Sequence, residues 1–209
     1  MKILVIGATG KAGLGFIQQA LKAGHEVTAF VRDPSKLSLE HEKLRAQQGD
    51  VSNKDSLLAA ASGQDVIVCA VGPRDEKNPG TLISDAARAC VEAQKNLGVK
   101  RTVFVSGLMV GELEGAGFFP RTLVKFFRNL RRALYQDKVL AESLLKSSGQ
   151  EFVIVRPPVF DTRPAKNTFR ASENLDISLA TMSADDVGAA ILRAVTDAGW
   201  AGKAVEVSY

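Results

Sequence analysis

The chain has 209 residues, of which 45% are apolar and 24% charged, and its formal net charge is +4. This length predicts one soluble globular domain, and the mild positive charge fits an anionic ligand without requiring nucleic acid. The two cysteines, Cys69 and Cys90, are too few for a disulfide framework, show no metal-ligand spacing and fit buried thiols. Because no leader or run of about 18 apolar residues is found, we expect a cytoplasmic protein without a membrane span.

The first 32 residues predict a mononucleotide-binding βαβ unit. A strand, a glycine loop, a helix and a second strand follow one another at residues 2–6, 7–13, 14–23 and 26–31. A glycine loop between an apolar strand and an amphipathic helix is typical of proteins that bind dinucleotides.

The glycine loop has the spacing G-x-x-G-x-x-G. Gly7 permits a tight turn, Gly10 lets the backbone approach a pyrophosphate, and Gly13 allows the helix to pack closely on the strand. Further predicted phosphate contacts in this loop are Thr9, Lys11 and Ala12. Lys11 fits a solvated lysine in the first helical turn equally well.

The residues after the second strand indicate which dinucleotide binds. An acid here would bind the ribose hydroxyls of NAD, whereas an arginine accommodates a 2′-phosphate. Asp33 is such an acid, but Asp33 followed by Pro34 is also typical of a helix start, and we favour that interpretation. Arg32, with Ser35, then predicts NADPH.

The rest of the chain continues the alternation of strands and helices. Strands are predicted at residues 44–48, 65–71, 101–105, 151–155 and 203–208, with a further short strand near residues 175–179. Helices are predicted at residues 55–62, 81–97, 118–149 and 187–198, the last preceded by a capping box from Ser183 to Asp186. The pattern predicts an α/β fold, a Rossmann-type doubly wound parallel sheet in a single domain over residues 1–209.

Ligands of open α/β sheets lie beyond the carboxyl ends of the strands, so the residues there are candidate cofactor contacts. They are Asp50 and Val51 after the third strand, Ala70 and Val71 at the end of the fourth with Gly72 and Arg74 after it, and Ser106 after the fifth. Asp50 also fits a plain turn or cap, Arg74 a solvated loop, and Ser106 a cap.

Two later segments stand outside the alternation. Residues 108–135 form a candidate lid that includes a basic amphipathic helix with Arg121, Lys125, Arg128, Arg131 and Arg132. Such a helix is typical of a membrane surface, nucleic acid or a partner helix. Nucleic acid is disfavoured because the pattern lacks stacking aromatics spread over a sheet. We favour a lid or dimer contact over a merely solvated basic face. Residues 159–182 are the candidate substrate flap.

Several motifs together resemble the atypical short-chain dehydrogenase family. They are the glycine loop, Val31-Arg32-Asp33, Gly49-Asp50-Val51, Ser106, Lys138-Val139-Leu140 and Arg156-Pro157-Pro158. Within that family the chain is most similar to the NAD(P)H-binding group of biliverdin reductase B, also called flavin reductase. The resemblance spans nearly the whole chain, but reductases and regulators share the glycine motif.

The resemblance implies NADPH at the carboxyl edge of the sheet and hydride transfer to a flavin or linear tetrapyrrole. It assigns the pyrophosphate to Gly7, Gly10 and Gly13, the 2′-phosphate to Arg32 and Ser35, the adenine to Asp50 and Val51, the middle of the cofactor to Gly72 and Arg74, the nicotinamide carboxamide to Ser106, and a pocket wall to Pro157.

Two departures leave the proton donor open. Typical members carry Tyr-x-x-x-Lys, whereas Tyr135 and Lys138 are only three residues apart, although they share a helix face. Biliverdin reductase B has a histidine where this chain has Val159. Ser106, Lys138 and Tyr135 remain the catalytic candidates, and Lys138 also fits a surface lysine.

Three functions follow from these features. The first is an NADPH-dependent reductase of flavin, biliverdin-like or quinone acceptors, acting as a monomer or homodimer without nucleic acid. The second is a non-catalytic redox sensor of the NmrA type. A nucleotide-sugar epimerase is disfavoured by the short carboxyl-terminal half.

Overall fold

A computed structural model describes residues 1–73, 75–76, 78–111, 118–175 and 181–209. Its strands are β1 Lys2–Ile6, β2 Glu26–Val31, β3 Leu44–Gln48, β4 Val66–Cys69, β5 Arg101–Val105, β6 Phe152–Arg156, β7 Phe160–Asp161, β8 Arg170–Ser172, β9 Met182–Ser183 and β10 Ala204–Ser208. Its helices are α1 Lys11–Lys22, α2 Lys54–Ala61, α3 Leu82–Leu97, α4 Phe118–Leu130, α5 Arg132–Lys146 and α6 Ala184–Thr196.

Eight strands form one sheet in the order β3-β2-β1-β4-β5-β6-β10-β8. Every neighbouring pair is parallel except β10 and β8, which are antiparallel. The strand order reverses between β1 and β4, so a crevice opens there at the carboxyl edge. The predicted Rossmann-type sheet is confirmed.

Helices cover both faces of the sheet, as alternate residues of β1 show. Ile3 and Val5 pack with α1 and α6, whereas Leu4 and Ile6 pack with α2, α3 and α5. Burial on both faces explains why the central strands are apolar at nearly every position.

The strand predictions succeeded where charged or polar residues or a glycine flank the strand. The observed bounds of β1, β2, β3 and β5 are those predicted, while β4 is shorter because Ala70 already belongs to the loop at the carboxyl edge. The predicted N-cap at Ser183 is confirmed, because its hydroxyl accepts a hydrogen bond from the Asp186 amide at 3.0 Å. The reciprocal bond of a capping box is not made, because the Ser183 amide donates to the Tyr209 hydroxyl instead.

The predicted long helix from residue 118 is instead two helices. Arg131 separates α4 from α5 with φ −116° and ψ 42°, outside helical geometry. Of the strand predicted near residues 175–179, all but Leu175 lies outside the described residues. The strand at this edge of the sheet is β8, which lies earlier in the chain and pairs with β10.

Both cysteines are buried, as predicted, and neither forms a disulfide. Within the described ranges, no helix has the length and apolar character needed to cross a bilayer.

Candidate functional site

The glycine loop is shaped by close backbone contacts. Gly7 has φ +81°, and a Cβ there would lie 2.5 Å from the Ala70 carbonyl oxygen. A Cβ on Gly13 would lie 2.3 Å from the Gly7 oxygen, so both positions require glycine. A Cβ on Gly10 would meet only the Gly7 oxygen, at 3.3 Å, which leaves its other side open.

Helix α1 begins at this open side without a side-chain cap. Gly10 is the N-cap, and the first turn carries no acid. The amides at a helix N-terminus lack intrahelical partners and favour an anion, so this end fits a pyrophosphate. Ala12 and Lys11 lie in that turn. Lys11 is close enough to Asp161 to help lower the pKa of that carboxyl, mainly lowered by the Arg163 amide.

A cavity of about 430 Å³ lies against the loop. Among the residues that line it are Gly7, Ala8, Thr9, Gly10, Arg32, Gly49, Asp50, Val51, Ala70, Val71, Gly72 and Pro73. Nine predicted contacts thus converge, because the carboxyl ends of β1 to β4 meet at one edge. Arg74 lies outside the described residues.

The cavity also has walls that sequence reasoning missed. They are Phe30, Asp75, Asn78, Pro79 and Leu82. Phe30 packs so closely on Gly49 that a Cβ there would overlap its ring at 2.2 Å. The loop residues among them carry no sequence signal, since residues 73–80 form only a polar loop in the pattern.

Asp33 caps the short turn Pro34–Lys36, as we favoured. Its Oδ1 accepts the Ser35 hydroxyl at 2.7 Å and the Ser35 amide at 3.1 Å, and these bonds lower the pKa of Asp33. Lys36 Nζ lies 3.4 Å from the other oxygen. The Asp33 carboxylate, which could bind ribose hydroxyls, therefore already accepts bonds from Ser35 and Lys36. The Ser35 hydroxyl already donates to Asp33.

Arg32 lines the cavity beside Asp50. Asp50 accepts the Ser52 amide at 2.9 Å and its hydroxyl at 2.7 Å. These bonds lower the pKa of Asp50, and the nearby charge of Arg32 adds to this. The carboxylate thus closes a turn, as the alternative interpretation held, while still lining the cavity.

Lys138 and Ser106 lie at the carboxyl end of β5, further along the carboxyl edge of the sheet. Lys138 Nζ donates to the Ser106 carbonyl at 2.7 Å, and a Cβ on Gly107 would lie 3.2 Å from that nitrogen. Burial lowers the pKa of Lys138. Lys138 is therefore not a solvated surface lysine, because its ammonium sits at the carboxyl end of β5.

The Ser106 hydroxyl is fully buried and makes no hydrogen bond to a described residue, although it lies close enough to Glu142 to lower the pKa of that carboxyl. Pro157 lies next to this segment, because its carbonyl accepts a hydrogen bond from the Leu108 amide at 3.0 Å.

Tyr135 is placed elsewhere. Its ring lies 5.2 Å from the guanidinium carbon of Arg128 and lines a second cavity of about 570 Å³ between α5 and β6. In the part of the chain that the structure describes, this cavity shares no lining residue with the first. The structure does not bring Tyr135 and Lys138 to one point.

A buried ion pair that sequence reasoning missed lies behind Ser106. Arg156 donates to both oxygens of Glu142, at 2.6 and 3.1 Å. Burial would raise the pKa of Glu142, but the bonds and charge of Arg156 outweigh it and lower the pKa. Glu206, 3.9 Å from Arg156, accepts the Leu175 amide at 3.0 Å, and burial raises its pKa.

Polar side chains also hold the flap. Asp186 accepts the amides of Lys166 and Asn167 at 2.8 and 3.0 Å and the Tyr209 hydroxyl at 2.6 Å. The first turn of α6 therefore fixes the middle of the flap.

A similar bond joins α3 to α5. Asp137 accepts the amides of Ile83 and Ser84 at 2.9 and 3.2 Å, and so caps α3 from a distant part of the chain. This contact sets the position of α5, the helix that carries Lys138.

Comparison with known proteins identifies relatives along the whole chain. An uncharacterized chloroplastic protein of Arabidopsis thaliana is 33% identical over 75% of this chain, and the match covers 58% of that relative. The uncharacterized sugar epimerase YhfK of Bacillus subtilis is 25% identical over 100% of this chain and 94% of its own. The chain thus spans less than two thirds of the first relative but nearly all of the second.

Solved structures share the fold at lower identity. A short-chain dehydrogenase/reductase of Veillonella parvula in complex with NADP has a TM-score of 0.80 at 19% identity, covering 100% of this chain and 94% of its own. ChuY, an anaerobilin reductase from Escherichia coli O157:H7, has a TM-score of 0.78 at 20% identity, covering 99% and 96%.

The family described as NAD(P)H-binding matches residues 7–198, from the glycine loop to two residues beyond α6. Apart from Ile6, every residue that lines the first cavity lies within this range. The chain belongs to the NAD(P)H-binding family, in agreement with its resemblance to atypical short-chain dehydrogenases.

Proposed function

We propose that this protein is an NADPH-dependent reductase that passes hydride to a flavin, biliverdin-like or quinone acceptor. The observation that carries the proposal is the part-buried Lys138 ammonium, 2.7 Å from the Ser106 carbonyl oxygen at the carboxyl end of β5. A positive charge at that end of the sheet lies where the reactive ring of a dinucleotide is expected in this fold.

The adenosine end supports NADPH over NADH. Arg32 lines the cavity, whereas Asp33 is turned back onto Ser35 and Lys36. A guanidinium binds a phosphate through charge-assisted bonds, and the acid that would repel a 2′-phosphate is already compensated. The Ser35 hydroxyl would have to leave Asp33 to join Arg32.

The bound dinucleotide would supply the hydride, while the protein binds, orients and excludes water. The amides at the start of α1 would hold the pyrophosphate, and Gly72 and Pro157 would bound the reacting end. Lys138 would stabilise the negative charge that an acceptor gains with the hydride. Its lowered pKa also brings its proton closer to transfer at neutral pH.

One observation favours the second candidate, a dinucleotide-binding redox sensor without catalysis. Tyr135 lies against Arg128 in the second cavity, so no phenol is placed beside Lys138. A flavin or quinone can take its proton from solvent after hydride transfer, which is why we favour those acceptors within the reductase proposal.

The test is oxidation of NADPH in the presence of FMN, biliverdin or a quinone. We expect turnover with at least one planar acceptor, and a loss of about 10- to 100-fold in kcat in Lys138→Met with little change in NADPH affinity. Lys146→Met, on the same helix but half exposed beside Glu142, is the matched control. Tight NADPH binding without turnover on any acceptor would support the sensor instead.

A further inference from the structure

Helix α4 presents an apolar stripe to solvent. Phe126, Phe127 and Leu130 are 60%, 41% and 65% exposed, and the two phenyl rings meet edge to face with centroids 5.8 Å apart. At about 100° per residue these three positions fall on one side of the helix. The helix is fixed by another side, where Val124 is buried against Leu108.

Exposed large apolar side chains are concentrated in this part of the chain. Five of the eight exposed large apolar side chains within the described residues lie between residues 126 and 140, the other two being Val139 and Leu140. Soluble domains rarely expose such groups together, and a contiguous apolar patch with a polar rim usually contacts another surface.

The same segment is strongly positive. Residues 118–136 contain five arginines and lysines and no acid. The next acid, Asp137, is buried as the cap of α3 and does not compensate this surface. Arg131 pairs with Glu76, but exposed Lys125 and Arg132 form no ion pair with any residue in the described ranges.

These charges argue against a second copy of the chain as the occupant. A two-fold interface would place the same cationic segment against itself, with like charges facing one another. The complementary surface is anionic, and it must also accept phenyl and isobutyl groups that project into it. A bilayer containing anionic lipids provides both.

We propose that α4 binds the surface of an anionic lipid bilayer and lies in the plane of the interface. Phe126, Phe127 and Leu130 enter the boundary between headgroups and acyl chains, while Lys125 and Arg132 remain at the headgroups. The binding is peripheral. It is separate from the cofactor cavity and independent of the proposed reductase activity.

The test is co-sedimentation of the full chain with vesicles of phosphatidylcholine alone and of phosphatidylcholine mixed with phosphatidylglycerol. The wild type is expected to bind the mixed vesicles, and binding is expected to weaken as salt is raised. Lys125→Gln and Arg132→Gln should each weaken it about fivefold, and Phe126→Ser with Phe127→Ser about tenfold or more.

Matched controls separate the surface from general effects. Val159→Ser removes an apolar side chain that is 77% exposed in the flap, and Lys22→Gln removes a charge from the far end of α1, so both should bind vesicles like the wild type. NADPH affinity should be the same in all variants, which verifies their folding.

Three results would overturn the proposal. They are no binding to the mixed vesicles at low salt, equal binding to neutral vesicles, or a dimer in sedimentation equilibrium that Phe126→Ser with Phe127→Ser abolishes. The last result would assign the face to a second copy. The charge variants keep the test decisive if the phenylalanine variant does not fold.

Discussion

The two ends of the sheet's carboxyl edge are built in different ways. Around β1, β2 and β4, the backbone shapes the cavity through Gly7, Gly10 and Gly13. Around β5, β6 and β10, buried side-chain pairs such as Glu142 with Arg156 hold the structure. The first end is local in sequence, and the second depends on contacts between distant elements.

The largest effect is expected at the buried ion pair. Glu142→Ala removes the carboxylate that accepts both hydrogen bonds of buried Arg156 and leaves only Glu206, 3.9 Å away, as a charged neighbour. It should lower the free energy of unfolding by about 3–5 kcal/mol, measured by urea denaturation. Glu173→Ala removes an exposed partner of Lys203 and should cost less than about 1 kcal/mol. Equal losses would show that the second end does not depend on this pair.

The pH dependence sharpens the same point. The folded-state pKa of Glu142 is lowered from its ordinary value of 4.5. Its contribution to stability should therefore be complete above pH 4.5 and disappear as the pH falls through the lower folded value. In Glu142→Gln the acid side of the urea stability profile should be flatter.

The glycine loop tests the first end. Gly7→Ala adds a positive-φ penalty and an overlap with the Ala70 carbonyl, so we expect about 2–5 kcal/mol of destabilisation and weaker NADPH binding. Gly24 is a matched control, because it has the same φ of +81° and no atom within 4 Å of its Cβ position. Gly24→Ala should cost only about 1–2 kcal/mol, and a similar loss in both variants would mean that the overlap is harmless.

Cofactor choice is expected to depend on Arg32. Arg32→Ala should weaken NADPH binding by about 1.5–3 kcal/mol, or roughly 10- to 100-fold, with little change for NADH. Fluorescence titration of both dinucleotides measures this, with Lys22→Ala as the charge control. If the wild type binds NADPH and NADH equally, the role of Arg32 is lost.

The smallest effect is expected at the distant cap. Asp137→Ala should cost about 1 kcal/mol of stability, because it leaves the Ile83 and Ser84 amides without their acceptor. Hydrogen exchange of the two amides should speed up selectively. Unchanged exchange would show that the cap does not hold α3.

What the sequence predicts follows the same division. Gly7, Gly13 and Arg32 belong to one βαβ unit, so periodicity and spacing alone place them near one another. Asp137 looked like one more polar residue of a helix, because its partners lie on another element. No glycine or proline lies near Arg131 in the sequence, so no residue signalled the break between α4 and α5.

The spacing of Tyr135 and Lys138 shows a further limit. Residues three apart share a helix face, but they point about 60° apart. That angle is enough to bring Tyr135 to the second cavity and Lys138 to the Ser106 carbonyl. Their separation follows from Arg128 and Ser106, which approach α5 from different elements.

The most direct test of the proposed reductase follows one deuterium atom. NADPH is prepared with deuterium on one face or the other of the nicotinamide C4, and the NADP+ formed with the fastest acceptor is analysed by mass spectrometry. Transfer within the protein predicts that deuterium is lost completely from one face and retained on the other. Loss from both faces, or no oxidation beyond that without protein, would contradict the proposed activity.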